Sequence, residues 1–423
     1  MPRVVISGLG FISSIGNDAV GVTQSLRELR HGFEPHEFLP GRQLEVTVAG
    51  TIKEFDTRAT HFSEWRWPAR YTFERDVLRS LPPHGLHALC AVEQLIADAR
   101  LTPELLADGD TGLFTSSAGS PFLQREYLNQ FIESGGMRVH PMAVVSTISG
   151  TLNFNLAPRY HIKGAVCGFV SACASTAHAI GYALDEIRLG RQRRILVVGA
   201  EDLTWPSTYS FHGMRALSRN PDPATASRPF DRHRDGFVGT GGAAALLIEA
   251  ADSAQARGAP VYAELCGWGQ ASDGHSMAIA DPAGRGLASA MRRALKAAGL
   301  TPGDIGYINA HATSTPLGDL SEIRAIHNVF TQQGAHPVIS STKALTGHAL
   351  SMAAALETGC CALALREGFT PGQAHLVNPD PEADGLNLPP TTLSSAPGII
   401  LKNSSGFGGS NVSLVLRPWT AGE

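Results

Sequence analysis

Short apolar runs alternate along this chain with longer segments whose apolar positions recur at helical spacing. That pattern predicts layered α/β structure. Val4 to Leu9 reads as a buried strand running into Gly10, and residues 86 to 99 read as a helix. Ala165 to Val170 predicts a strand. Ala174 to Leu189 predicts a helix with Ala177, Ile180, Leu184 and Ile187 on its apolar face and Gly190 as its stop. Ile195 to Gly199 is another buried strand, with Glu201 and Asp202 where it should end. Ala243 to Ile248, Ile305 to Ala310 and a segment starting near Val261 continue the strands, and Ala349 to Leu365 reads as helix.

Between these elements the pattern breaks. Residues 35 to 85 are rich in Pro, Arg and aromatic side chains and read as a surface excursion. Residues 219 to 236 read as a long loop. Ala251 to Gly258 looks like a connector, so the chain divides into halves 1–255 and 256–423. No fixed-period repeat is visible.

Composition narrows the class. A chain of 423 residues can bury a large core, and 43% hydrophobic with 17% charged residues excludes a disordered protein. The formal charge of −4 gives no reason to bind nucleic acid or an anionic membrane. No run of about 18 apolar residues predicts a spanning helix, and the N-terminus reads as a first strand rather than a signal peptide. None of the six cysteines forms a C-x-x-C pair, which argues against zinc and for a reduced, cytoplasmic enzyme.

One cysteine and two histidines stand out. Cys173, in Val-Ser-Ala-Cys-Ala-Ser-Thr, falls at a predicted strand-to-helix turn, where a helix N-terminus should favour the thiolate. The other five cysteines read as small buried hydrophobes. His311 lies in Asn-Ala-His-Ala-Thr-Ser-Thr-Pro-Leu-Gly-Asp after a predicted strand, with Asp319 and Glu322 near a helix start. His348 lies in Thr-Lys-Ala-Leu-Thr-Gly-His, five residues after Lys343, which should orient a histidine or an acidic partner. A thiol can hold an acyl group, and imidazoles can stabilise a carbanion made by decarboxylation. Asn403-Ser-Ser-Gly-Phe-Gly-Gly-Ser-Asn411 can aim backbone N–H groups at an oxyanion.

These residues resemble the β-ketoacyl-acyl-carrier-protein synthases (ketosynthases) of the thiolase superfamily, over nearly the whole chain. Ser227-Arg-Pro-Phe-Asp-Arg-His-Arg-Asp-Gly-Phe-Val238 and Ser314-Thr-Pro-Leu-Gly-Asp319 add to the match, which is nearest the type I and II synthases of dissociated bacterial systems. The resemblance implies a thiolase fold: two similar α/β halves stacked as an αβαβα sandwich, in a dimer. It implies Cys173 as nucleophile, His311 and His348 as the decarboxylation pair, Lys343 as the active-site lysine and Glu322 as the acid near it. It implies an oxyanion hole from the backbone N–H groups of Cys173 and Phe407, with Phe407 as gate. Phe211, Thr313, Thr315, Ser405, Phe407 and Gly408 would bind substrate. Asn309, Glu357 and Asn403 would match a monovalent-cation site reported for some members. No cofactor is implied beyond the phosphopantetheine of acyl carrier protein, the implied partner.

The chain departs from the family pattern at three places. Ala312 stands where Gly is usual, Met352 falls in a segment usually Gly-Ala-Ala-Gly, and Ser405 replaces a large aromatic. The first two should crowd the loop after His311 and alter packing behind His348. Ser405 puts the usual acyl preference aside and points to specialised polyketide or polyene synthesis over housekeeping fatty acid synthesis. A second reading is the ketosynthase subunit of a heterodimer with a non-catalytic chain-length partner. A coenzyme A thiolase fits less well, because such enzymes carry a second catalytic cysteine near the C-terminus and none follows Cys361.

Overall fold

A computed structural model describes residues 2–39 and 41–420. Ten strands form one sheet, in the order Val338–Ser340, Ile305–Asn309, Ile399–Gly406, Ser410–Arg417, Ala263–Ser272, Val4–Ile12, Gly242–Ala250, Arg194–Glu201, Thr111–Ser116, Val166–Gly168. Numbered in chain order within each half, both sets of five lie 3-2-4-5-1 from edge to centre. The halves meet at a narrow seam, where Val5 and Ile6 pair antiparallel with Glu264 and Ala263.

Strand side chains alternate between two cores, so these strands are buried on both faces and read as continuous apolar runs. Ile195 and Val197 face a central core, while Leu196 and Val198 face an outer one with the Pro83–Asp98 helix. In the second half Leu414 and Leu416 face the same central core. Leu401 and Val415 face a third, with the Arg285–Ala298 and Pro316–Val329 helices. The Ser175–Arg188 and Ala353–Glu367 helices fill the middle layer. Three cores between helices and strands make the expected αβαβα layering.

Glycines set two close approaches, one the mirror of the other. A Cβ on Gly10 would lie 1.9 Å from the Ala91 carbonyl oxygen, and one on Gly269 would lie 2.4 Å from that of Ala290. Each outer helix therefore rests directly on its strand. In the middle layer, Phe11 lies over Gly359, and Trp268 lies over Gly181.

Several element bounds shift. The strand predicted from Ala165 is only Val166–Gly168, an exposed edge with one neighbour. Cys167 is exposed there, unlike Cys90, Cys266, Cys360 and Cys361. Leu350 has φ 47, which an α-helix cannot accommodate, so the helix predicted from Ala349 starts at Ala353 after a 3₁₀ turn. Ala251–Ala256 is a short helix, and the next strand starts at Ala263. Residues 35–85 are irregular, but Trp65, Leu78 and Leu81 are buried in the outer core. Among the described residues no helix is long and apolar enough to cross a membrane.

Candidate active site

Cys173 follows Ala172, whose φ of 50 is a left-handed conformation rare for a side chain with a Cβ. That turn, four residues past the end of the edge strand, aims the chain into the Ser175–Arg188 helix. Nε2 of His348 lies 3.0 Å from Sγ of Cys173. The rings of His311 and His348 meet edge to face, 5.4 Å apart.

His348 is held by the residues just after the loop that the sequence places at 219–236. Its N–H donates to the Val238 carbonyl at 2.8 Å, and its own carbonyl accepts from Thr240. The Phe237 ring stands against its imidazole at 5.2 Å. Gly347, at φ 76, makes this possible, since a Cβ there would press on the Val238 oxygen at 2.7 Å. His311 is held by Glu322, whose carboxylate accepts from the N–H groups of His311 at 3.0 Å and Ala312 at 2.6 Å. Asn403 donates to the same carboxylate at 2.9 Å. The loop beyond is tied down by Asp319, which accepts from the N–H groups of Ser314 and Phe230.

Gly406 backs onto the nucleophile: a Cβ there would lie 3.1 Å from the Cys173 nitrogen. This brings the start of the Phe407–Gly409 turn beside the Cys173 N–H. Phe407 is 40% exposed and its ring lies 5.9 Å from that of Phe211.

A cavity of about 550 Å³ joins these groups. Cys173, His311, His348, Glu322, Phe211, Thr313, Thr315, Ser405 and Phe407 all line it. Gly408 does not; it turns away at φ 78 with its N–H on the Met277 carbonyl. The remaining wall is mostly apolar, with Met214, Phe237, Ile279, Leu287 and Leu317. At Ser405 the hydroxyl donates to Oδ1 of Asn411, another lining residue, at 2.7 Å, while Asn411 donates to Asp273.

Electrostatics correct one expectation. Burial pushes the Cys173 thiol up to about 12, with the Lys343 charge pulling the other way. The helix N-terminus does not leave a stored thiolate. Burial also holds His348 well below the usual imidazole range, helped by Lys343 and Lys402. His311 is lowered likewise by burial, then Lys343 and His348. The resting site is a thiol beside two neutral imidazoles.

Three other expectations change. Glu322 does feel the Lys343 charge, but the ion-pair partner of Lys343 is Glu357. The Asn309, Glu357 and Asn403 set does not fit a cation. Glu357 already pairs with Lys343 and, at 2.7 Å, with Lys402. Asn403 is spent on Glu322 and on the Ser413 hydroxyl, while the Asn309 Oδ1 has no partner and the second Glu357 oxygen has its ion pair with Lys402 but no hydrogen bond. Met352 packs against Gly199 of the Arg194–Glu201 strand, where a Cβ would lie 2.8 Å from it.

The sequence reading assigns no role to Lys402 and marks Glu201 only as a strand end. Lys402 interrupts the apolar run of Ile399 to Leu401, and a charge inside a buried strand is a signal for a paired site. Glu201 is buried at the end of its strand, accepting from the Ser351 hydroxyl and the Ala118 N–H. Burial raises it to about 8.

A half-buried thiol against two imidazoles in a five-layer α/β frame defines a thiolase-fold acyltransferase. The chain belongs to the β-ketoacyl synthase family: residues 1–254 match the "Beta-ketoacyl synthase, N-terminal domain" and residues 262–377 the "Beta-ketoacyl synthase, C-terminal domain". It is 37% identical over 422 residues to 3-oxoacyl-[acyl-carrier-protein] synthase 1 of Escherichia coli (strain K12), covering 99% of both chains. Its fold matches a β-ketoacyl synthase from Burkholderia phymatum STM815 at TM-score 0.89, with 31% identity and coverage of 99% and 100%. It matches the ishigamide ketosynthase/chain length factor at TM-score 0.87, with 28% identity and the same coverage.

Proposed function

We propose that this chain extends acyl chains by decarboxylative condensation, with Cys173 carrying the acyl group and malonyl-acyl carrier protein supplying two carbons. The observation that carries this reading is the 3.0 Å approach of His348 Nε2 to Cys173 Sγ beside the His311 ring. An acyl thioester enters the cavity, the sulfur attacks its carbonyl, and the thiol proton passes to His348 and on to the departing pantetheine thiolate. In the second half-reaction the malonyl carbon–carboxylate bond breaks and carbon dioxide leaves. Its electron pair forms an enolate whose oxygen accepts hydrogen bonds from His311 and His348. Neutral imidazoles suit that donation. The enolate carbon attacks the acyl carbonyl, whose oxyanion meets the N–H groups of Cys173 and Phe407. The carbon–sulfur bond then breaks, releasing the β-ketoacyl product and a Cys173 thiolate that takes a proton from solvent to restore the thiol.

Acyl groups arrive on phosphopantetheine, and no other cofactor enters this reading. The cytoplasm is its setting, in keeping with six unpaired cysteines. We place the division between halves near residue 255, supported by the repeated strand order. The partners are acyl carrier protein and a second ketosynthase-like chain. Support for a dimer comes from the exposed edge strand Val166–Gly168 and the exposed apolar side chains Met137, Val139, Val144 and Val170. The relative described as a ketosynthase/chain length factor favours a heterodimer as the second reading. With Cys173 present, this chain is the catalytic member of either pair. In single-turnover assays with acyl and malonyl carrier proteins, Cys173→Ala should form no product while keeping its fold. Wild-type rates in that variant would overturn the mechanism.

A further inference from the structure

Behind the two histidines lies a charge cluster that the condensation chemistry does not use directly. Lys402 is wholly buried in the Ile399–Gly406 strand. Its ammonium forms an ion pair at 2.7 Å with one oxygen of Glu357, which accepts no hydrogen bond, and donates to the Ser404 hydroxyl. The other oxygen of Glu357 takes Lys343. Glu357 itself projects from the middle-layer helix, where every residue from Ala353 to Leu365 is buried. Across the sheet, Lys402 is paired in register with Asn309, whose Oδ1 is buried without a partner.

Buried charges persist only when paired. Glu357 contributes one negative charge against two ammonium groups, so the cluster already carries an excess of one positive. A third positive charge would meet no carboxylate oxygen free of an ammonium on Glu357. We propose that Lys402 is a built-in counter-ion: its ammonium occupies the place on Glu357, opposite Asn309, that a dissociable monovalent cation would otherwise take. The strand supplies the charge covalently, so the cluster behind His311 and His348 stays assembled whatever the ionic composition of the medium. Lys402 is a positioning residue in this scheme, acting through Glu357 and Lys343.

The test reads thermal unfolding, and so stands apart from the condensation reading. Melting midpoints are measured in potassium, sodium or choline chloride at equal ionic strength. The wild type should melt at one temperature in all three. Lys402→Ser shortens the side chain and bares Glu357. It should melt several degrees lower in choline and recover part of that loss in potassium or sodium. Lys402→Met fills the volume without charge and should be destabilised with no cation response. A wild-type midpoint that rises in potassium or sodium over choline overturns the proposal, because an ion then binds beside Lys402. A folded Lys402→Ser with no cation response also overturns it. If Lys402→Ser fails to fold in choline, refolding restored by potassium or sodium supports the proposal, and failure in all three salts counts against it.

Discussion

Cys173 and His348 stand 175 residues apart in sequence, yet their reactive atoms lie 3.0 Å apart, and each is braced by the other's half of the chain. Val238 and Thr240, from the first half, hold the backbone of His348. Gly406, from the second, packs on the Cys173 nitrogen. The middle layer repeats the exchange, with Phe11 set into the Ala353–Glu367 helix and Trp268 into the Ser175–Arg188 helix. The site therefore exists only when the halves pack, and loosening their contact should cost activity before it costs secondary structure.

The two histidines should separate by step. His348 touches the thiol, whereas His311 meets only its ring. His311→Ala should therefore slow carbon dioxide release by about 10²–10³-fold while largely sparing acylation of Cys173. His348→Ala should slow both. Intact mass of the acyl-enzyme and trapped carbon dioxide report the steps separately. Equal effects of both variants on both steps would show that the roles are not divided.

Thiol reactivity gives a test of the resting protonation state. With burial holding Cys173 up to about 12, the thiolate fraction should climb about tenfold per pH unit across the neutral range. Alkylation by iodoacetamide should therefore keep accelerating through about pH 9. A rate already level near neutrality would mean a stored thiolate–imidazolium pair instead.

Cys173 and both histidines were legible because each sits in a distinctive local run at or just before a backbone turn, His311 just after its strand and His348 after the Lys343–Thr346 helix. The layering was legible for a similar reason: strands buried on both faces read as unbroken apolar runs. The Lys343–Glu357–Lys402 cluster was not. Glu357 lies in a helix buried all round, which has no polar face to mark its direction, and its partners come from two other elements. The conformation of Leu350 also left no trace in hydrophobic periodicity, so the helix start was misplaced by a turn.

Glu201 should shape the pH dependence of stability. Its carboxyl titrates near 8 when folded against an ordinary 4.5, so the folded state holds the extra proton between those values. Stability should then fall as pH rises through that window, because the fold must bury a charge that no nearby cation balances in its hydrogen-bond shell. Glu201→Gln keeps the shape and removes the titration. The difference in melting midpoint between wild type and variant should widen in favour of the variant from about pH 5 to pH 8. Parallel profiles would show that the carboxyl does not change protonation there.

Ser405 is expected to set the width of the cavity beside Cys173. It lines the same cavity as Cys173 and Phe407, and its hydroxyl is turned toward Asn411 rather than toward a second apolar wall. A small residue there leaves room beside the nucleophile, and nothing in the Ser405–Asn411–Asp273 chain of hydrogen bonds refills it with a ring. A stiff or bulky acyl group, such as a conjugated polyene or an aryl-capped chain, should fit where a phenylalanine would exclude it. Ser405→Phe should therefore narrow the substrate range, losing conjugated and bulky donors while sparing short saturated ones. The added ring also displaces a hydrogen bond to Asn411, and overpacking of this kind costs about 1–3 kcal/mol, so melting must be measured alongside. Acyl-enzyme formation on Cys173, followed across short, long and conjugated donors, gives the ranking directly. A folded variant that keeps the wild-type order across all three classes would mean that chamber width is set elsewhere along the wall.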